Sequence, residues 1–216
     1  MTDSRALAIY TALKKRFNKP ELSIPKDPFQ VLIITVISQH TNDKNTVKAY
    51  QRLKKEGLTT PQSLASTSEQ RIADAIKVAG LFRNKSKTLK RLAEEILKRF
   101  NGDLNKVLEL PLEQARDELM KLPGVGPKTA DVLLTFCSDK PTIPVDTHVN
   151  RVSKRLGLAP KDAGYEEVRL SLQKLYEPKD YLDLHLLLIA LGRAYCKARK
   201  PLCLECPVKS YCPSAS

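Results

Sequence analysis

The sequence predicts an all-α protein. Apolar residues recur at helical spacing along most of the chain, and no run alternates as a half-buried strand does. Capping residues, Pro and Gly bracket the periodic stretches. Ala6, Ile9, Tyr10, Leu13 and Phe17 form a first apolar stripe, which SIPKDP (Ser23–Pro28) breaks, because two Pro within four residues remove donors and restrict their neighbours. That segment is a candidate interdomain linker. Phe29 to Ile37 is apolar nearly all round, which predicts a central buried helix ending at the polar SQHTND (Ser38–Asp43). Asn42 is the expected cap of the next helix, with Val47, Tyr50 and Leu53 inside. Thr60-Pro61 reads as cap plus first-turn Pro. Thr67 with Gln70 reads as a capping box before Ile72, Ala73 and Ile76, and Gly80 stops that helix. Leu89, Leu92, Ala93, Ile96, Leu97 and Phe100 make the clearest amphipathic stripe, ended by Asn101-Gly102. A short helix over 112–121 precedes a Gly/Pro turn. Three further stripes follow it: Ala130, Leu133, Leu134 and Cys137, then Val149, Val152 and Leu156, then Val168, Leu172 and Leu175. Leu184, Leu187, Leu188 and Leu191 mark the last helix, and from Cys196 periodicity gives way to cysteines.

The 216 residues suffice for one large domain or two small ones. Lys and Arg number 37 against 24 acidic residues, and the net charge of +13 favours a polyanionic partner, nucleic acid first and an anionic membrane second. An ordinary basic protein would show the same balance. The longest apolar run, Val31–Ile37, is too short to cross a bilayer. The opening MTDSRALAIY lacks the basic-then-apolar layout of a signal peptide. An intracellular protein with no membrane partner is expected, cytoplasmic or at the nucleoid if prokaryotic. Its five Cys are then reduced or metal-bound rather than paired.

The chemistry concentrates in Leu122–His148, LPGVGPKTADVLLTFCSDKPTIPVDTH. Gly124 and Gly126, on either side of Val125, can take left-handed backbone angles and carry no Cβ. Pro127 suits the first position of the following helix, whose free amides and positive end favour an anion over the turn. Without a Walker-type motif in so basic a chain, that anion is read as a nucleic-acid phosphate. A helix-connecting turn that needs Gly for geometry alone would have the same residues. Lys128, in the first turn of that helix, is either a phosphate contact or an amine whose ammonium form the helix end and partial burial disfavour. Asp146 is a natural cap for the helix starting at Thr147, and His148 reads as structural.

Four cysteines close the chain, Cys196, Cys203, Cys206 and Cys212, spaced C-x6-C-x2-C-x5-C. Such a set can saturate one tetrahedral Zn or one cubane cluster, and the spacing alone does not choose between them. Cys137 lies on an apolar face and reads as core.

LPGVGPKTADVLL followed by PVDTH and the terminal cysteines resembles the helix-hairpin-helix DNA glycosylase superfamily, and within it the endonuclease III family. The resemblance runs from about Phe29 to the C-terminus, and the three signatures in this order are highly specific. It implies a two-lobed all-α fold. Residues 28–137 would form a helical barrel ending in the hairpin, and residues 1–27 with 138–216 a smaller helical domain carrying a [4Fe–4S] cluster on the four cysteines. Lys128 falls on the family's catalytic lysine and Asp146 on its catalytic aspartate. The implied activity is a bifunctional glycosylase and AP lyase of base-excision repair. Such an enzyme acts as a monomer on damaged double-stranded DNA, removes oxidised pyrimidines through a lysine Schiff base, and cleaves 3′ to the abasic site by β-elimination.

The resemblance also suggests residues that replace or probe the extruded base: Gln39 or His40 as the intercalating wedge, and Leu81 against the opposite strand. Family members commonly carry Gln at the position that aligns with His40, so the wedge lies between those two. Arg83, Lys85 and Lys87 suit phosphate contacts. So do Lys197, Arg199 and Lys200 in the loop between the first two cysteines, and Gly124, Val125 and Gly126 in the hairpin. One alternative is a mismatch glycosylase acting on adenine, thymine or uracil, against whose purely monofunctional form Lys128 counts. Another is a non-catalytic helix-hairpin-helix DNA-binding module, which leaves Lys128, Asp146 and the cysteines unexplained together.

Overall fold

The computed structural model of the chain describes residues 4–17 and 25–215. They are helical throughout, with no strand among them. The chain divides into two compact units, Ile24–Asp139 and Met1–Ser23 with Lys140–Ser216. The first two residues of the linker segment, Ser23 and Ile24, lie outside the described residues.

Helix α1 (Ser4–Arg16) belongs to the second unit and buries Ala6, Ile9, Tyr10 and Leu13. The larger unit begins with α2 (Pro28–Ser38). Asp27 caps it by accepting from the Gln30 amide at 2.8 Å, and Pro28 fills the first position. Eight of its residues are buried, so α2 is the axis of this unit, as its all-round apolarity predicts. Asn42 caps α3 (Asp43–Lys55), and Thr60 caps α4 (Pro61–Ser66) in a capping box with Ser63. The cap of α5 (Glu69–Ile76) is Ser68, not Thr67, whose hydroxyl instead bonds back to the Ser63 carbonyl at 2.6 Å. The inner face of α3 is also shifted from expectation. Thr46, Ala49 and Leu53 are buried, while Val47 is 53% exposed.

After a 3-10 turn over Lys77–Ala79 and Gly80, α6 (Phe82–Phe100) runs along the unit and buries Leu89, Leu92, Ala93 and Ile96. Asn101 and Gly102 end it in left-handed backbone. Then come α7 (Asn105–Leu108), α8 (Leu112–Met120) and α9 (Pro127–Ser138), the last two packed as a pair around the Gly-x-Gly turn. Ala130, Leu133 and Leu134 are fully buried in the core that Phe29, Leu32 and Ile33 centre. At about 1.5–3 kcal/mol per large side chain removed from water, such a core is ample to fix the turn. Cys137 packs against it, and burial, with nearby Asp27, pushes its thiol up to about 11, as suits an inert core residue.

In the second unit, α10 (Thr147–Arg155), α11 (Tyr165–Leu175) and α12 (Tyr181–Ala194) pack with α1 around Val149, Val152, Leu172, Leu184 and Leu188. The guanidinium of Arg5 donates to the carbonyls of Leu156, Gly157 and Tyr211, tying α1 to the end of α10 and to the tail. No helix among the described residues is long and apolar enough to cross a membrane.

Candidate active site and nucleic-acid interface

The hairpin of the larger unit rests on one glycine for its shape. Gly124 has φ +77°, and a Cβ there would stand 2.4 Å from Cγ2 of Thr88 on α6. An L-residue there would be strained in its backbone and would force the Thr88 side chain to give way. Gly126 differs from expectation: its backbone is extended, and a Cβ there would meet nothing within 4 Å. The protein itself leaves that space open, beside the start of α9. Val125 between them is buried, with its amide on the Leu122 carbonyl at 3.1 Å. Pro127 and Lys128 are the first two residues of α9, and Lys128 is half-buried. A charged pair braces the helices on either side of the turn. Arg116 of α8 donates from Nε to Asp131 Oδ1 at 3.0 Å and from Nη2 to Oδ2 at 3.3 Å, and both side chains are buried.

Two more loops of this unit carry residues singled out in the sequence, and one of them reaches the hairpin. Gln39 follows α2 and donates from Nε2 to the Gly124 carbonyl at 3.4 Å. His40, next to it, is exposed with φ +54°. Leu81 precedes α6 with φ +47° and is 57% exposed. Arg83 and Lys87 are exposed, as phosphate contacts must be. Lys85 is not: it is 5% exposed, and Nζ donates to the carbonyls of Ile37 at 2.8 Å and Ala79 at 2.9 Å. Burial holds its pKa below the usual lysine range. It cannot contact a phosphate, because its donors are committed inside the protein.

In the second unit, Asp146 caps α10, accepting from the Val149 amide at 2.7 Å. The backbone leading to it, Thr142–Val145, is buried without being helical, so its polar groups need side-chain partners. His185 of α12 supplies one, with Nδ1 2.8 Å from the Pro144 carbonyl. Tyr165 of α11 supplies another, its hydroxyl accepting from the Val145 amide at 3.3 Å. Neither stood out in the sequence. The signal for His185 is a lone polar residue in the leucine-rich face of α12. Val145, Asp146, Thr147, Asn150, Ala163, Gly164 and Tyr165 line an open pocket beside the cap. His148 is half-buried with Nδ1 3.1 Å from Arg151 Nη2. Burial pushes its imidazole pKa down, opposed by Asp146.

The far end of α10 holds the cysteine tail. Arg151 donates to the Cys196 carbonyl at 3.0 Å, and Arg155 donates to the Lys197 and Ala198 carbonyls at 2.7 and 3.1 Å and to Cys196 Sγ at 3.5 Å. The backbone beneath Lys197, Arg199 and Lys200 is thereby anchored, while all three side chains are exposed. Cys196, Cys203, Cys206 and Cys212 line one cavity with apolar walls that include Leu156, Leu191, Pro201 and Leu202. Among the described residues no His, Cys, Asp and Glu group forms a ready single-ion site. Burial pushes the Cys206 thiol up; the Val208 backbone N–H opposes this, and the sulfurs of Cys196, Cys212 and Cys203 add to the rise. Four thiolates in so apolar a cavity require positive charge among them, which bound iron or zinc would supply. The donor set therefore fits an iron–sulfur group.

Residues 33–178 match the family model described as HhH-GPD superfamily base excision DNA repair protein. Residues 196–212 match the iron–sulfur binding domain of endonuclease III. Endonuclease III of Thermotoga maritima is 39% identical over 198 residues, 92% of this chain and 87% of that protein. Endonuclease III of Sulfolobus acidocaldarius is 36% identical over 188 residues, 87% of this chain and 82% of that one. Among solved structures, a trapped endonuclease III–DNA covalent intermediate matches with TM-score 0.86 and 33% identity, covering 100% of this chain and 98% of that one. The chain belongs to the endonuclease III family of the helix-hairpin-helix base-excision DNA repair superfamily.

Proposed function

We propose that this chain is a bifunctional DNA glycosylase and AP lyase that excises oxidised pyrimidines from damaged double-stranded DNA, with Lys128 as nucleophile, Asp146 as the catalytic carboxylate and a [4Fe–4S] cluster on Cys196, Cys203, Cys206 and Cys212. The observation that carries this reading is the likeness, along the whole chain, to an endonuclease III trapped as a covalent DNA intermediate, joined to a lysine in the first turn after the hairpin.

Lys128 attacks C1′ of the damaged nucleotide through its neutral amine. The glycosidic bond breaks, the base leaves, and a Schiff base links enzyme and sugar. β-Elimination then breaks the strand on the 3′ side, and hydrolysis frees the lysine. The carboxylate of Asp146 stabilises the positive sugar that develops as the base departs. Gly124 and Val125 shape the turn, and the open space at Gly126 lets a phosphate approach the start of α9. Gln39 or His40 fills the gap left by the extruded base, and Leu81 probes the opposite strand. Arg83 and Lys87 bind phosphates beside Leu81, as Lys197, Arg199 and Lys200 do on the tail. When bound, the cluster fixes the tail so that these three cations present one rigid surface. We read the enzyme as an intracellular monomer, cytoplasmic or at the nucleoid if prokaryotic.

The test is a panel of duplexes carrying thymine glycol, uracil, mismatched adenine or an abasic site, scored for base release and nicking. Release and nicking at thymine glycol, with nicking at the abasic site, are expected. Release of uracil or mismatched adenine without nicking would replace this reading with a mismatch glycosylase. Binding with no chemistry on any duplex would reduce the chain to a DNA-binding module.

Asp146→Asn separates charge from capping. Asn caps a helix about as well as Asp, so thermal stability should hold within about 0.5 kcal/mol. Turnover should fall by about 10²- to 10⁴-fold, the usual scale for a lost acid–base or charge-stabilising group, with duplex affinity little changed. Equal losses in turnover and affinity would reduce Asp146 to a cap.

A further inference from the structure

Lys85 is a lysine whose charge is spent inside the protein. Both of its partners are backbone carbonyls, each in the last turn before a different loop: Ile37 at the end of α2 and Ala79 at the end of the 3-10 turn. Ile37 stands two residues before Gln39 and Ala79 two residues before Leu81. The loops that follow hold two of the non-glycine residues with left-handed backbone, His40 at φ +54° and Leu81 at φ +47°. Such backbone is costly for Leu in particular and persists only where the surroundings over-determine it. Lys85 sits in the first turn of α6, directly after Leu81, and Thr88 of the same helix abuts Gly124 of the hairpin. One helix end is thus the reference against which all three loops are set.

We propose that Lys85 is a positioning residue for base extrusion: its buried ammonium, shared between the Ile37 and Ala79 carbonyls, locks the Gln39–His40 and Leu81 loops at a fixed separation and in the strained conformations needed to enter a duplex. This rests on the reading of those loops as wedge and probe. The chemistry requires a long, multiply donating cation. A carbonyl at each loop end faces inward without a helical acceptor role, and a single ammonium serves both. Met, of similar length, carries no donor, and the neutral amide of Gln is shorter and brings an acceptor oxygen to a site lined by carbonyls. Arg would spread its donors over a planar fork in a site that fits one compact charge.

The experiment compares Lys85→Met with wild type on two substrates. One is thymine glycol paired within a duplex; the other is the same lesion in an unpaired bulge, where no pair need be opened. Lys85→Met should lower kcat/KM on the paired lesion roughly tenfold, which corresponds to about 1.4 kcal/mol, and leave the bulged lesion and borohydride trapping on it unchanged. Equal loss on both substrates, or on neither, overturns the proposal. Gln39→Ala and Leu81→Ala serve as reference variants. If they too fail to separate paired from bulged substrate, the wedge reading is what has failed; if they separate them and Lys85→Met does not, Lys85 alone is misassigned. Should Lys85→Met not fold, native-state hydrogen exchange of the wild type decides. The amides of Gln39, Thr41 and Gly80 should then open in one cooperative event, and separate opening of the two loops would refute the clasp.

Discussion

Lys128→Ala should abolish borohydride trapping on a thymine glycol duplex and lower base release by about three orders of magnitude or more, the scale on which enzymes fall when the nucleophile is removed. The fold should survive. Lys128 is the second residue of α9, where a cation opposes the positive helix end by about 0.3–1 kcal/mol, and Ala is the better helix former. Loss of activity therefore cannot be assigned to unfolding, and the melting temperature checks this directly. Lys128→Arg sharpens the test. Arginine keeps the charge and could still hold a phosphate, but its guanidinium does not condense with a sugar aldehyde. If Lys128 only grips the backbone, Lys128→Arg stays active. If it is the nucleophile, both variants lose trapping while duplex affinity stays near that of wild type. Trapping that survives in Lys128→Ala would move the Schiff base to another amine.

The helices and their stops were legible because periodicity and capping are local. The stripes of α2, α6 and α12 and the caps at Asn42 and Thr60 follow from neighbouring residues alone. At the cap of α5, two adjacent hydroxyls compete, and tertiary packing selects Ser68. Lys85 shows how a site can be misread. It lies in a run of cations, which suggests a phosphate contact, yet it also stands four residues before Leu89, on the buried stripe of α6. The periodicity was the better guide, because burial follows position on the helix rather than residue type. Gly126 is the opposite case, since its residue type suggested a left-handed turn that only Gly124 adopts. Tyr165, His185, Arg151 and Arg155 escaped notice because their partners are backbone groups 20 to 45 residues away. Backbone carbonyls leave no mark in a sequence. The cysteine spacing alone suits zinc or a cluster, and the choice of a [4Fe–4S] cluster comes from the family resemblance, which the matched iron–sulfur domain supports.

Asp131→Ala should be the most destabilising single change near the site. Arg116 and Asp131 form a bidentate pair between α8 and α9, with Asp131 fully inaccessible. Removing the carboxylate takes away the bidentate partner of a buried guanidinium, and breaking such a buried pair costs about 3–5 kcal/mol. That is a large share of a domain stability of about 5–15 kcal/mol, and for a chain of this length it corresponds to a fall in melting temperature of roughly 6–20 °C. Arg116→Met with Asp131→Leu removes both charges and keeps volume, so it should recover most of the loss, because desolvating the pair offsets much of its attraction. The two results together distinguish a brace whose purpose is stability from one whose purpose is geometry. A double variant that regains stability but still binds duplex DNA weakly would mean that the pair sets the angle between α8 and α9. On the proposed reading, the hairpin amides need that angle to meet a phosphate. A double variant normal in both respects would leave Gly124, wedged against Thr88, as the element that shapes the turn.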